Sequence, residues 1–180
     1  NSAPLYPTAA FWRSKRVLLT GHTGFKGSWL AVWLRWLGAE VRGFALPPET
    51  RPNLFDRLHL ADALDHVVGD LRDFNSVVRS VADFQPDVVM HLAAQAIVRR
   101  AYRDPVGTFA TNVLGTAHVL EACRQTSSVR AAVIVTTDKC YEIPEWTWPF
   151  REGDRLGGDE PFGASKACAE LPKAAYRHSY

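Results

Sequence analysis

At 180 residues, 47% of them apolar, the chain is long enough to bury one substantial core and short enough to form a single domain. Its 21 basic and 19 acidic residues are interspersed, so the net charge of +2 gives no basis for a nucleic-acid or membrane-surface partner and leaves a small molecule. No apolar run approaches the roughly 18 residues of a bilayer span, and the three cysteines (Cys123, Cys140, Cys168) form neither a Cys-x-x-Cys pair nor an even framework, against both disulfides and a metal site.

The opening NSAPLYPTAA lacks the basic start and apolar middle of an export signal, and reduced thiols suit the cytoplasm, the expected compartment. Residues 1–14 are read as an N-terminal extension and 15–180 as the folded domain. With no initial Met and an end, YRHSY, in helical sequence, the chain reads as a piece of a longer polypeptide.

KRVLLT (15–20) is a short apolar run that enters a glycine-rich turn, and GSWLAVWLRWLG (27–38) then carries apolar residues at helical spacing and ends on glycine. The alternation continues with a strand at 40–46, a short helix at 54–64, a strand at 65–70 and a helix at 74–84. A buried strand at 86–94, a long helix at 108–125 and a strand at 130–137 complete it. Short β-branched runs alternating with amphipathic helices imply right-handed βαβ units, hence a Rossmann-like, doubly wound parallel sheet with helices on both faces. Residues 142–161, rich in Pro, Gly, Trp and charge, read as one long irregular segment after a strand end, where such loops usually serve function.

Gly21, Gly24 and Gly27 of GHTGFKG fall between the first strand and the first helix at G-x-x-G-x-x-G spacing. Small residues there let backbone N–H groups approach a pyrophosphate at a positively polarised helix N-terminus; without a ligand the same glycines make a tight βα turn. Strand before, helix after and βα repetition favour dinucleotide binding. The acidic residue expected about 20 positions on, to read a ribose 2′-OH, is missing. Pro47 and Pro48 occupy that place, with Glu49 and Arg51 just beyond. NAD and NADP therefore both remain open, and Arg51 is either a 2′-phosphate partner or a solvated loop residue.

Asp70 in VVGDLRD suits an acceptor for an adenine amino group or an ordinary solvated carboxylate, and Asp73 a helix N-cap. Ala93 and Ala94 in HLAAQ fit either close backbone passage past a cofactor or tight packing, and His91 reads as a core histidine rather than a base. Thr137, Asp138 and Lys139 follow the fifth strand, where ligands of open α/β sheets sit. An adjacent acid and base with a hydroxyl can polarise a carbonyl and move protons, or simply form a local ion pair in a turn. Trp146 and Trp148 either stack on a base or sugar or anchor their loop to the core.

Together GHTGFKGSW, GDLRDF, HLAAQ, TNVLGT, TTDKCYE, EWTW and GASKACAE resemble the extended short-chain dehydrogenase/reductase superfamily, and within it the CDP-glucose 4,6-dehydratases, from about Phe11 onward. The resemblance covers the family's N-terminal half. It implies a bound NAD that takes hydride from sugar C4, elimination of water across C5 and C6, and hydride return to C6. In that scheme Thr137 hydrogen-bonds the C4 oxygen, Asp138 is the acid toward the C6 hydroxyl and Lys139 assists C5 proton abstraction. Lys166 holds the nicotinamide ribose, Gly21, Gly24 and Gly27 line the pyrophosphate, and Thr23, Phe25 and Lys26 of the same turn also lie against the cofactor. Asp70 beside Leu71 takes the adenine, and Ala93, Ala94 and Gln95 the cofactor's middle. A nucleotide sugar is the implied partner, with a homodimer formed through the long helices after the fourth and fifth strands.

Four positions depart from the family: Pro47 in place of Asp, Asp159 in place of Tyr, Phe162 in place of the catalytic Tyr, and Pro172 inside a helix. A mid-helix proline costs about 3 kcal/mol, so the last helix is expected to kink or end early. Phenylalanine has no group that titrates, so Phe162 separates family membership from catalytic competence. A cofactor-binding pseudoenzyme and a nucleotide-sugar epimerase or reductase are the alternative readings.

Overall fold

The computed structural model describes residues 8–142 and 147–180. Five parallel strands, β1 (Arg16–Thr20), β2 (Glu40–Ala45), β3 (Asp65–Val68), β4 (Val88–His91) and β5 (Ala131–Ile134), form one sheet in the order β3-β2-β1-β4-β5. The expected strands are all present, each trimmed at one or both ends. Val17, Leu18 and Leu19 are at most 1% exposed, because β1 is flanked by strands on both sides and covered on both faces. Register sets Thr20 opposite both Phe44 and His91. The turns after β1 and β4 therefore emerge side by side where the strand order reverses, the place such sheets use for ligands.

Successive side chains of β1 point to opposite faces and build two cores. Val17 and Leu19 pack with Ala31 and Leu34 of α2 (Phe25–Trp36), whereas Leu18 packs with Val77, Val81 and Phe84 of α5 (Phe74–Phe84) and Val119 of α8 (Gly115–Gln125). The sheet is thus covered on both faces, as expected. On its outward side α2 carries Phe25, Trp29, Trp33 and Trp36, each at least 49% exposed. Trp12 of α1 (Ala9–Trp12) packs against the first core.

The helix expected over 54–64 is instead two, α3 (Leu54–Arg57) and α4 (Leu60–Ala63), separated by a left-handed His59 at φ 49°. Phe55 and Leu60 would point about 140° apart on one continuous helix. Breaking it lets both enter the same core, where they are 3% and 2% exposed. The strand expected over 86–94 ends at His91, and an unforeseen α6 (Val98–Arg103) follows. Asp104 then caps α7 (Pro105–Phe109) through Gly107 N at 2.9 Å, and a π-helical turn (Ala110–Leu114) joins α7 to α8.

The last helix, α9 (Pro161–Ser179), runs through Pro172, against the expectation of an early end. Proline there forfeits the bond to the Cys168 carbonyl and crowds that oxygen with its ring. Contacts beyond it hold the helix: Lys173 pairs with Glu170, Tyr176 Oη donates to Glu121 of α8 at 3.0 Å, and the Arg124 guanidinium lies 5.1 Å from the Tyr180 ring centre. Apart from one bridge between Tyr141 and Leu156, the described part of 142–160 contains no regular element. Among the described residues no helix is long and apolar enough to cross a membrane.

Candidate cofactor and catalytic site

Gly21 leaves β1 at φ 77° with its N–H on Phe44 O, and a Cβ there would lie 2.7 Å from Ala93 N. The turn after β1 therefore touches the segment after β4 through backbone alone. A Cβ on Gly27 would lie 2.1 Å from Gly21 O. Among the described residues the first helical N–H with an acceptor is that of Ser28, onto Gly24 O, which leaves the N–H groups of Phe25, Lys26 and Gly27 at a positively polarised helix start where Phe25 and Lys26 are exposed and Gly27 is buried. Thr23 Oγ1 donates to Leu46 O at 2.9 Å and ties the turn to the end of β2. The turn has the shape and polarity a pyrophosphate requires.

The three glycines are not equivalent. Gly24 has φ −78° and only an ordinary contact of 3.4 Å at its Cβ position, so Gly24→Ala is expected to lower stability by about 1 kcal/mol or less. Gly27→Ala must displace backbone and is expected to cost about 3 kcal/mol or more. Urea unfolding of the two variants checks this, and equal losses would contradict the packing described.

Asp70 lies beyond the end of β3, in a bidentate pair with Arg72 whose closest contact is 2.5 Å. The hydrogen bonds from Arg72 hold its carboxyl below the usual range. Asp73 is the N-cap of α5, accepting from Ser76 N. The Leu71 side chain belongs to the second core and its carbonyl accepts from His118, so its side chain faces away from any ligand. Ala93 and Ala94 are half-buried in the segment after β4. Gln95 is turned inward, its side chain bonded to Thr108 Oγ1 and Ile97 N. Glu49, beyond the two prolines after β2, pairs with Arg100 of α6 at 2.6 Å.

Behind this wall runs a continuous buried polar chain. Ala93 N donates to Thr20 Oγ1, which lies 2.7 Å from His91 Nδ1; His91 Nε2 lies 3.0 Å from Thr116 Oγ1, which donates to Asn112 O. Since the Thr116 proton is committed to that carbonyl, its oxygen accepts from His91 Nε2–H, and Nδ1 accepts from Thr20. His91 is therefore held neutral, and burial, with the Lys166 charge, pushes it down to about 3. It is a core histidine, as its strand position implied. Asn112, in the π-helical turn, accepts from Gln95 N and donates to Gln95 O and to Ser165 Oγ of α9. Its amide thus clamps the segment after β4 to the last helix.

Phe162 and Lys166 lie four residues apart on one face of α9, 8% and 6% exposed. Glu160 caps the helix through the N–H groups of Phe162 and Gly163, and a Cβ on Gly163 would lie 2.6 Å from Lys139 O. The helix start is thereby pressed on the 3-10 turn Asp138–Cys140 that follows β5. Lys166 Nζ donates to Val135 O at 3.1 Å, and burial lowers its ammonium to about 8 against the opposing pull of Glu170. Thr137 Oγ1 donates to Asp138 Oδ1 at 2.9 Å, while Asp138 and Lys139 are exposed. Lys166 and the Thr137–Lys139 turn thus adjoin. Trp148 is 71% exposed and does not anchor its loop, and Trp146 lies outside the described residues.

Arg72, Asn112, Ser165 and the Glu49–Arg100 pair were not singled out from sequence. TNVLGT, GASKACAE and GDLRDF, motifs recognisable in the sequence, contain Asn112, Ser165 and Arg72, whereas nothing local marks the Glu49–Arg100 pair. The family described as GDP-mannose 4,6 dehydratase matches residues 18–180. The CDP-glucose 4,6-dehydratase of Salmonella typhimurium is 48% identical over 170 residues, 94% of this chain and 47% of that one. The UDP-glucose 4-epimerase of Thermus thermophilus, solved with NAD, superposes with a TM-score of 0.78 at 35% identity, covering 92% of this chain and 51% of that one. The dTDP-glucose 4,6-dehydratase of Streptomyces venezuelae, also solved with NAD, gives 0.77 at 30%, covering 92% and 52%. The chain spans about half the length of these relatives.

Proposed function

This chain belongs to the GDP-mannose 4,6 dehydratase family, and from that premise we propose that it forms the NAD-binding part of a nucleotide-sugar 4,6-dehydratase acting on CDP-glucose. The observation that carries the proposal is the cradle at the strand-order switch. Gly21 and Gly27 have no room for a Cβ, and three helix-start N–H groups stand beside them. These residues fit a pyrophosphate, and Lys166 fits the nicotinamide ribose. Ala93 and Ala94 would pass the cofactor's middle, as would the backbone of Gln95, and Asp70 would accept from the adenine amino group.

When bound, NAD would take a hydride from sugar C4 and return it to C6 after water has left, so net redox change is zero. Thr137 would hydrogen-bond the C4 oxygen. With C4 a ketone, the C5 proton is acidified; Lys139 assists its removal, and Asp138 delivers a proton to the C6 hydroxyl, which leaves as water. The exposed positions of Asp138 and Lys139 support roles toward a ligand that comes from outside the turn. The complete polypeptide is read as a cytoplasmic homodimer. Val106, Leu114 and Leu171, 78%, 57% and 62% exposed on α7, the π-helical turn and α9, support association through these helices. Phe162 favours a second reading, a cofactor-binding protein with little turnover.

Incubating the complete polypeptide with CDP-glucose and NAD is expected to yield a 4-keto-6-deoxy sugar nucleotide, seen by its absorbance in base. Absence of that product from both the wild type and Phe162→Tyr would overturn the proposal.

A further inference from the structure

His22 sits inside the glycine turn, between Gly21 and Thr23, yet its ring points away from the crevice and is fully buried. Register places Gly43 of β2 beside His66 of β3, and the missing side chain at Gly43 is where the imidazole lies, since a Cβ there would be 2.3 Å from the ring. Phe55 meets the ring edge-on at 5.4 Å, Ser28 Oγ donates to His22 O at 3.0 Å, and His22 Nε2 lies 2.7 Å from His66 Nδ1. Among the described residues His22 Nδ1 is buried with no hydrogen-bond partner.

That last atom fixes the proton arrangement. A buried N–H without an acceptor costs far more than a buried lone pair without a donor, so the His22 proton resides on Nε2 and is donated to His66 Nδ1. Reversing the bond, or adding a proton to either ring while keeping it, puts a proton on the unpartnered Nδ1. The arrangement therefore has one stable form. Burial, with the neighbouring His66, pushes His22 down to about 4, in keeping with a neutral His22 ring.

We propose that His22 and His66 are a positioning pair for the pyrophosphate cradle, with His66 Nδ1 as the acceptor that holds the glycine turn in its binding shape. This rests on the NAD reading above. The test is titration of the protein with NADH, followed by nicotinamide fluorescence, for wild type, His66→Leu and His66→Asn. Leucine strands the His22 N–H and is expected to weaken NADH binding about tenfold or more, whereas asparagine offers Oδ1 where Nδ1 was and is expected to restore affinity to within about threefold. Wild-type affinity in His66→Leu, or no rescue in a folded His66→Asn, overturns the pair's role. No NADH binding by wild type overturns instead the NAD reading beneath it. Should His66→Leu fail to fold, ¹⁵N spectra of the wild-type imidazoles decide, since a His22 proton on Nδ1 rather than Nε2 contradicts the arrangement.

Discussion

Phe162→Tyr is expected to raise turnover of the complete polypeptide on CDP-glucose by about 10²–10⁴, the range that a positioned acid–base group contributes. The position is prepared for it. Glu160 pins the first turn of α9 through two N–H groups, and Gly163 is pressed on the carbonyl of Lys139, so the ring is placed by backbone contacts that a phenol leaves untouched. Lys166 lies one turn on, buried on the same face, and its charge would pull a phenol at 162 below its ordinary value and let it accept and return the C4 hydroxyl proton. Phenylalanine at the same place can pack but not titrate. Comparison of kcat at saturating CDP-glucose reads the effect. A change below about threefold in a folded variant would mean that the proton is handled elsewhere, with Thr137 the next candidate.

Acid is expected to begin destabilising the fold above the range in which most carboxylates titrate. His91 and His22 are held neutral, at about 3 and about 4, whereas in the unfolded chain both return to about 6.5. Their contribution is fully present above pH 6.5 and is lost as pH falls, because the unfolded chain takes up protons that the folded one refuses. Each histidine lowers stability by up to about 1.4 kcal/mol per pH unit, until its folded value is reached. Between pH 6 and 5 the carboxylates are mostly ionised in both states, so the two histidines dominate and together give a slope approaching about 2.7 kcal/mol per unit. Against a domain stability of about 5–15 kcal/mol, that is large. Urea unfolding at pH 7.5, 6, 5.5 and 5 measures it, and a flat profile would contradict the buried neutral His22 and the Thr20–His91–Thr116 chain.

Much of this architecture was legible because its signals are local. Glycine spacing, apolar period and β-branched runs located the turn at Gly21–Gly27, α2 and all five strands. What escaped is held by partners distant in sequence. Thr20 meets His91 across 71 residues, His91 meets Thr116 across 25, and Asn112 meets Ser165 across 53. No window of sequence contains such a pair. The break at His59 carries no glycine or proline and follows from where Phe55 and Leu60 must both point. Pro172 misled in the opposite direction, because the penalty of a mid-helix proline is local and the contacts of Tyr176 and Tyr180 with α8 that offset it are not. Resemblance sets Gln95 and Leu71 against the cofactor, yet both side chains serve the interior and Asn112 takes both backbone groups of Gln95, which leaves the backbone N–H of Leu71 as the part able to meet a ligand.

The most direct test of the account follows deuterium placed at C4 of CDP-glucose through the complete polypeptide bearing Phe162→Tyr. A dehydratase of this kind is expected to deliver the label to C6 of a 4-keto-6-deoxy product with no accumulation of NADH. Label retained at C4 of an epimerised sugar, or NADH formed in step with product, would contradict it.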